Sequence, residues 1–183
     1  MKSCRNGQSK ILSPNEYALL LDALPKKYAV LFRLCSLTGL RIGECLLLRV
    51  EDIREATLVI RRCNTKGKTS SRELPIPPEM EITLKNLGRN GNFIFESKIK
   101  PGTPITRQGV DYIFRNTCKE LEIYGFSSHS ARRFFIHTLH HKNVPLKVIQ
   151  KCVGHISLRS TSAYIDVEEN HIQSAVEQLW SLV

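Results

Sequence analysis

No stretch of the 183 residues approaches the roughly 20 consecutive apolar positions that a membrane-spanning helix needs, and no polybasic amphipathic segment adjoins a lipidation signal. The opening MKSCRNGQSK has no apolar core of the kind an export signal carries, so the chain reads as a cytoplasmic protein without a membrane partner. Paired cysteines are also missing. Cys4, Cys35, Cys45, Cys63, Cys118 and Cys152 stand singly with no Cys-x-x-Cys, which argues for reduced thiols over a disulfide framework. The one candidate metal cluster, His137, His140 and His141, has no acidic or cysteine partner at ligand spacing, so it reads as a basic helix face and no metal is expected. No sustained repeat or low-complexity segment is present. Acidic residues are the minority, 17 against 27 Lys and Arg, and the resulting net charge of +10 makes nucleic acid the expected partner.

With 42% hydrophobic content the chain supports one domain with a real core, taken as residues 1–183 with a flexible 1–10. Ser13-Pro14-Asn15-Glu16 carries three agreeing helix-start signals and predicts a helix to about Leu24. A second helix runs through Tyr28, Leu31, Leu34 and Leu37 until Gly39, and a third, short one covers Ile42 to Leu48. From Ala56 the pattern turns to strand. Thr57 to Ile60, the turn Asn64-Thr65-Lys66-Gly67-Lys68 and Arg72 to Ile76 predict a basic hairpin, with a third strand at Phe93 to Phe95. Arg61, Arg62 and Lys68 of this region, with Arg133 further on, are assigned to DNA contact. Further helices are expected over Met80 to Leu87, from the cap Thr106 through Leu121, over Ser130 to His141, Pro145 to Cys152, Leu158 to Tyr164, and Glu168 to Leu179. The fold class is therefore α+β, mostly helical, with one small antiparallel sheet.

The chemistry concentrates between His129 and Tyr164. This stretch holds a His-x-x-Arg pair (His129, Arg132), a Gly-His corner (Gly154, His155) and a tyrosine in a serine-rich context. A phenol has a pKa near 10, so only about one tyrosine in a thousand is ionised at neutral pH, and a nucleophilic Tyr164 needs cations or a base beside it. A lone tyrosine is ordinarily a half-buried amphipathic residue; the company of Tyr164 changes that reading. A phosphodiester under attack gathers negative charge on its non-bridging oxygens, which two guanidiniums can clamp. Arg41, in TGLRIGE, and Arg132 stand in suitable contexts, and Glu44 is spaced to buttress Arg41. Either arginine alone would be an ordinary surface charge. His129 and His155 are candidate proton carriers or phosphate donors, against the plainer reading of capping or core histidines. Lys66 or Lys68 could protonate a departing sugar oxygen, although spacing alone favours a solvated turn.

Together these residues resemble the catalytic domain of the tyrosine recombinases, the phage integrase family. TGLRIGE is similar to the first-arginine box, TKGKTSSRELPIP to the lysine hairpin, HSARRFF to the His-x-x-Arg box, VGH to the Gly-His corner and STSAYIDV to the nucleophile segment. The resemblance implies that Tyr164 forms a 3′-phosphotyrosine, Arg41 and Arg132 clamp the phosphate and Lys66 acts as general acid. His129 and His155 would donate to the phosphate or move protons, with Glu44 in support. It further implies site-specific recombination of double-stranded DNA without cofactor, metal or ATP, by a homo-tetramer on DNA built from protomers that are monomers in solution. Residues 167–183 would form a helix docking on a neighbouring protomer, or packing on their own domain. About ten residues precede the first helix, so no N-terminal core-binding domain is expected, and the corner reads Val-Gly-His where Leu-Gly-His is commoner. The rivals are a non-enzymatic helix-turn-helix regulator, which leaves Arg41, Glu44 and the lysine hairpin unexplained, and a DNA-relaxing topoisomerase.

Overall fold

The computed structural model describes residues 9–65, 71–89, 91–155 and 157–162. Lys66, Lys68 and Tyr164, the end of the 158–164 helix, the whole terminal helix and most of the 1–10 segment lie outside them. Eight helices are described: α1 (Pro14–Ala23), α2 (Lys26–Thr38), α3 (Ile42–Leu46), α4 (Pro78–Gly88), α5 (Arg107–Glu120), α6 (Ser130–His141), α7 (Leu146–Val153) and α8 (Leu158–Ser162). Among the described residues no helix is long and apolar enough to cross a membrane.

The start of α1 forms as its sequence dictates. Ser13 Oγ accepts from the Glu16 N–H, and the Glu16 carboxylate accepts from the Ser13 N–H, satisfying two otherwise orphaned donors. Helix α2 ends on Gly39 at φ +66°, a left-handed cap that also lies hard against other elements. A Cβ there would stand 2.5 Å from Phe135 and 2.9 Å from Val153, so the close approach of α2 to α6 and α7 needs glycine.

Three short strands, β1 (Ile53–Arg54), β2 (Thr57–Ile60) and β3 (Arg72–Pro75), form an antiparallel sheet in the order β1-β2-β3. The third strand therefore precedes the hairpin, and the expected strand at Phe93 to Phe95 is replaced by a turn. There Ile94 N–H donates to Leu48 and Phe95 C=O accepts from Ile105, with one bridge between Glu96 and Pro104. The β1-β2 turn escaped sequence reading because Glu55 and Ala56 both take positive φ, 45° and 57°, in a two-residue turn that normally advertises itself with Asn or Gly. That conformation is braced from outside: Ala56 N–H donates to Glu81 Oε2 at 2.7 Å and Ala56 C=O accepts from Ile76 at 2.8 Å. Helix α3 also stops two residues early, at Leu46, and the chain passes into a 3₁₀ turn over Val50–Asp52.

An aromatic cluster joins the helices around the fully buried Phe32. Tyr17 stacks on Phe134 with centroids 4.5 Å apart, and Phe32 meets Tyr17, Phe114 and Phe126 at tilted or edge-on angles. Burial of each such ring contributes roughly 1.5–3 kcal/mol, so the cluster pins α1, α2, α5 and α6 together. A smaller apolar cluster, Ile136, Ile149 and Val153, seats α7 on α6. The packing thus brings the C-terminal end of α2, the start of α6 and the end of α7 to one place.

Candidate active site

Arg41 stands at the N-cap of α3, just past the Gly39 turn, in extended conformation. Glu44, one turn on, folds back: its Oε2 accepts from the Arg41 backbone N–H at 2.8 Å and its Oε1 from Arg41 Nη1 at 3.4 Å. The same Oε2 accepts from Arg72 Nη2 at 3.0 Å, reaching over from β3. Glu44 is only 3% exposed, and a carboxylate is tolerated at that depth because two guanidiniums and a backbone N–H compensate it.

Arg132 is held differently. At 1% exposure it is the largest fully buried side chain described, contrary to the surface charge its sequence context alone suggests. Its Nη1 donates to the Gly39 carbonyl at 2.7 Å and its Nη2 to the Val153 carbonyl at 2.9 Å. These are the two carbonyls at the ends of α2 and α7. A guanidinium carries five N–H donors in a fixed fork, so satisfying two carbonyls still fixes the direction of the rest.

A cleft of about 280 Å³ opens over these residues, lined by Arg41, Arg107, His129, Arg132, Asn64 and Thr65 among others. His129 is exposed at its lip, and its pKa is lowered, first by desolvation and then by Arg107, Arg132 and Arg41, with Asp111 opposing. His155 is half-buried, with Nδ1 2.9 Å from the Thr161 hydroxyl. Burial first, and then Arg132, Arg41 and Arg72, push its pKa down to about 3, so the ring is neutral at working pH. A neutral imidazole can donate a hydrogen bond from one nitrogen while accepting at the other.

Four expected site residues therefore share one region, Arg41, Glu44, His129 and Arg132, with His155 close enough to feel both arginines. Three others went unread in the sequence. Arg107, at the first position of α5, lines the cleft and pairs with Asp111 at 3.7 Å and Ser128 Oγ at 3.4 Å. Arg72 and Thr161 hold Glu44 and His155. Arg72 and Thr161 lay within quoted motifs, but nothing in their spacing marks Arg72 as facing Glu44, 28 positions away, or Thr161 as meeting His155.

Of the expected DNA-contact set, Arg133 is buried. This side chain is 3% exposed, on the helix α6 that packs against α2 and α7. Arg61 is largely engaged by acids, at 3.0 Å from Asp52 and 3.3 Å from Glu51, while Arg62 is exposed. Among the described residues no group of three or more His, Cys, Asp or Glu is placed to hold a metal; His137 and His141 instead meet each other, Nε2 to Nε2, at 2.9 Å. Cys35, Cys45, Cys63, Cys118 and Cys152 are free thiols.

The profile described as "Phage integrase family" matches residues 10–171. The tyrosine recombinase XerA of Pyrococcus furiosus is 28% identical over 178 residues, covering 92% of this chain and 61% of that protein. The tyrosine recombinase XerC of Pediococcus pentosaceus is 27% identical over 152 residues, covering 75% of this chain and 49% of that protein. This chain thus spans about half to three fifths of their lengths. Among solved structures, that of XerA recombinase matches with a TM-score of 0.76 at 18% identity, covering 92% of this chain and 64% of that one. The Tn1549 transposon integrase in complex with transposon right end DNA matches with a TM-score of 0.78 at 17% identity, over 96% of this chain and 67% of that one. The chain belongs to the phage integrase family, and its fold is that of the tyrosine-recombinase catalytic domain.

Proposed function

We propose that this domain breaks and rejoins strands of double-stranded DNA at a specific site, through a 3′-phosphotyrosine on Tyr164. The observation that carries the reading is the convergence of Arg41, Arg107, Arg132 and His129 on one cleft from three separate parts of the chain. Three guanidiniums in one cleft are costly to assemble and are matched by the doubly charged phosphorane of a phosphoryl transfer. The relatives named as tyrosine recombinases support the same chemistry.

In this reaction the Tyr164 oxygen bonds to phosphorus and the bond from phosphorus to the sugar 5′ oxygen breaks, its electron pair leaving with that oxygen. The 5′ oxygen takes a proton from the Lys66 ammonium, and the tyrosine proton passes to an imidazole. His129, at the lip of the cleft, is the imidazole placed to accept that proton. Arg41 and Arg132 stabilise the non-bridging oxygens, and neutral His155 adds a hydrogen bond without further charge. One phosphodiester is exchanged for another, so rejoining needs no ATP. Two duplexes exchanging strands would engage four protomers. Lys68 and Arg62 are read as duplex contacts.

A nicked suicide DNA substrate tests the reading. Wild-type protein should give an SDS-resistant protein-DNA adduct and Tyr164→Phe none. An adduct that persists in Tyr164→Phe would remove the nucleophile assignment. Sequence-specific binding with no adduct on the bound site would favour a helix-turn-helix regulator.

A further inference from the structure

One side chain that the chemistry above does not use touches both the α3 turn and the α7 corner. Arg72 opens β3, and its side chain is 13% exposed, with Nη2 3.0 Å from Glu44 Oε2. On its other side it lies over Gly154, the left-handed cap of α7 at φ +66°. A Cβ on residue 154 would stand 2.3 Å from Arg72 Nη1 and 2.9 Å from Cζ, so a side chain there would have to displace the Arg72 guanidinium. Residue 153 on one side of this glycine supplies a carbonyl to Arg132, and residue 155 on the other side is the half-buried histidine that meets Thr161. Arg72 therefore bridges the α3 turn that aims Arg41 and the α7 corner that holds Arg132.

The distances around Glu44 say what the bridge does. Arg41 is tied to this carboxylate firmly through its backbone N–H, at 2.8 Å, and only loosely through its guanidinium, at 3.4 Å. The closer guanidinium is that of Arg72, at 3.0 Å. We propose that Arg72 is a positioning residue: wedged between Glu44 and Gly154, it satisfies the buried carboxylate so that the Arg41 guanidinium is left to the phosphate, and it holds the α7 corner against β3. This rests on the recombinase reading for its effect on the reaction. Without Arg72 a buried carboxylate loses its nearer cation, and Arg41 is drawn inward to replace it. Lysine is a poor substitute, because an ammonium can pair with Glu44 but cannot lie as a flat fork over Gly154.

The test is a set of single-turnover adduct measurements on nicked DNA. Arg72→Ala should slow adduct formation by roughly 10²-fold, with Arg72→Lys in between, while DNA affinity stays near wild type. Glu44→Gln alone should also slow the reaction. Added to Arg72→Ala, it should restore part of the lost rate, because a neutral amide no longer competes for Arg41. A wild-type rate in Arg72→Ala, a loss carried entirely by DNA affinity, or strictly multiplicative losses in the double variant would overturn the proposal. A second measurement needs no DNA. Gly154→Ala should destabilise the protein less in the Arg72→Ala background than in wild type, the positive φ leaving a residual cost in both. Equal costs in the two backgrounds would overturn the wedge. If the wild type forms no adduct on any duplex, the recombinase reading fails, and the unfolding cycle still decides the contact.

Discussion

Arg41 and Arg132 line the same cleft, yet the regions around them orient a guanidinium by opposite means. At the α3 turn Arg41 is partly exposed and steered by a carboxylate, a charge-charge arrangement whose strength depends on what else that carboxylate binds. At the α6-α7 corner Arg132 is buried and steered by two main-chain carbonyls, which carry no net charge and do not titrate. The first mode can be adjusted by neighbours such as Arg72. The second is a property of the fold itself, since moving Arg132 means unmaking the ends of α2 and α7.

The sharpest way to break this contrast is Arg132→Ala. It should reduce adduct formation by about 10²–10³-fold, by analogy with loss of a transition-state donor, and also destabilise the protein. Two buried carbonyls lose their donor, at a cost of about 1–3 kcal/mol each, readable by urea denaturation. Unchanged stability would mean the carbonyls find other partners and the corner is not fold-held. Arg41→Ala should lose comparable activity but no more than about 1 kcal/mol of stability, because Glu44 keeps Arg72 and the residue-41 backbone N–H. A larger loss would put Arg41 in the same class as Arg132.

Acid titration sharpens the contrast further. His155 in the folded protein protonates only near pH 3, well below its unfolded value of about 6.5, so the unfolded state binds more protons between those limits. Stability from this group is therefore complete above about pH 6.5 and declines as the pH falls towards 3. Urea midpoints measured over that range should fall less steeply in His155→Gln. The smallest effect is expected far from the cleft: Ser13→Ala should cost about 1 kcal/mol through the lost cap and leave the adduct rate at wild type.

The contrast also explains what could be read in advance. Local signals were legible: Ser13 and Glu16 mark the start of α1, Gly39 and Gly154 mark helix ends, and Glu44 follows Arg41 at one-turn spacing. The β1-β2 turn was not, because Glu55 and Ala56 hold left-handed conformations only through Glu81 and Ile76 contacts that no local pattern encodes. The burial of Arg132 escaped for the same reason, since its acceptors lie 93 residues before and 21 after it. Arg107 enters the cleft through helix placement and Arg72 reaches Glu44 through strand pairing, neither through a local pattern that marks its partner. A tyrosine among cations was visible in the chain; which cations face one another depended on the packed form.

The two acceptors of Arg132 have a consequence during synthesis. One lies in the first quarter of the chain and the other near its last described helix, so a ribosome must release residue 153 before this guanidinium can be held in place. A truncated or half-made protein would carry Arg41, Glu44 and His129 without a fixed second clamp. In such a fragment the α6 guanidinium would have the Gly39 carbonyl alone to hold it, so its final direction is set late, when α7 docks.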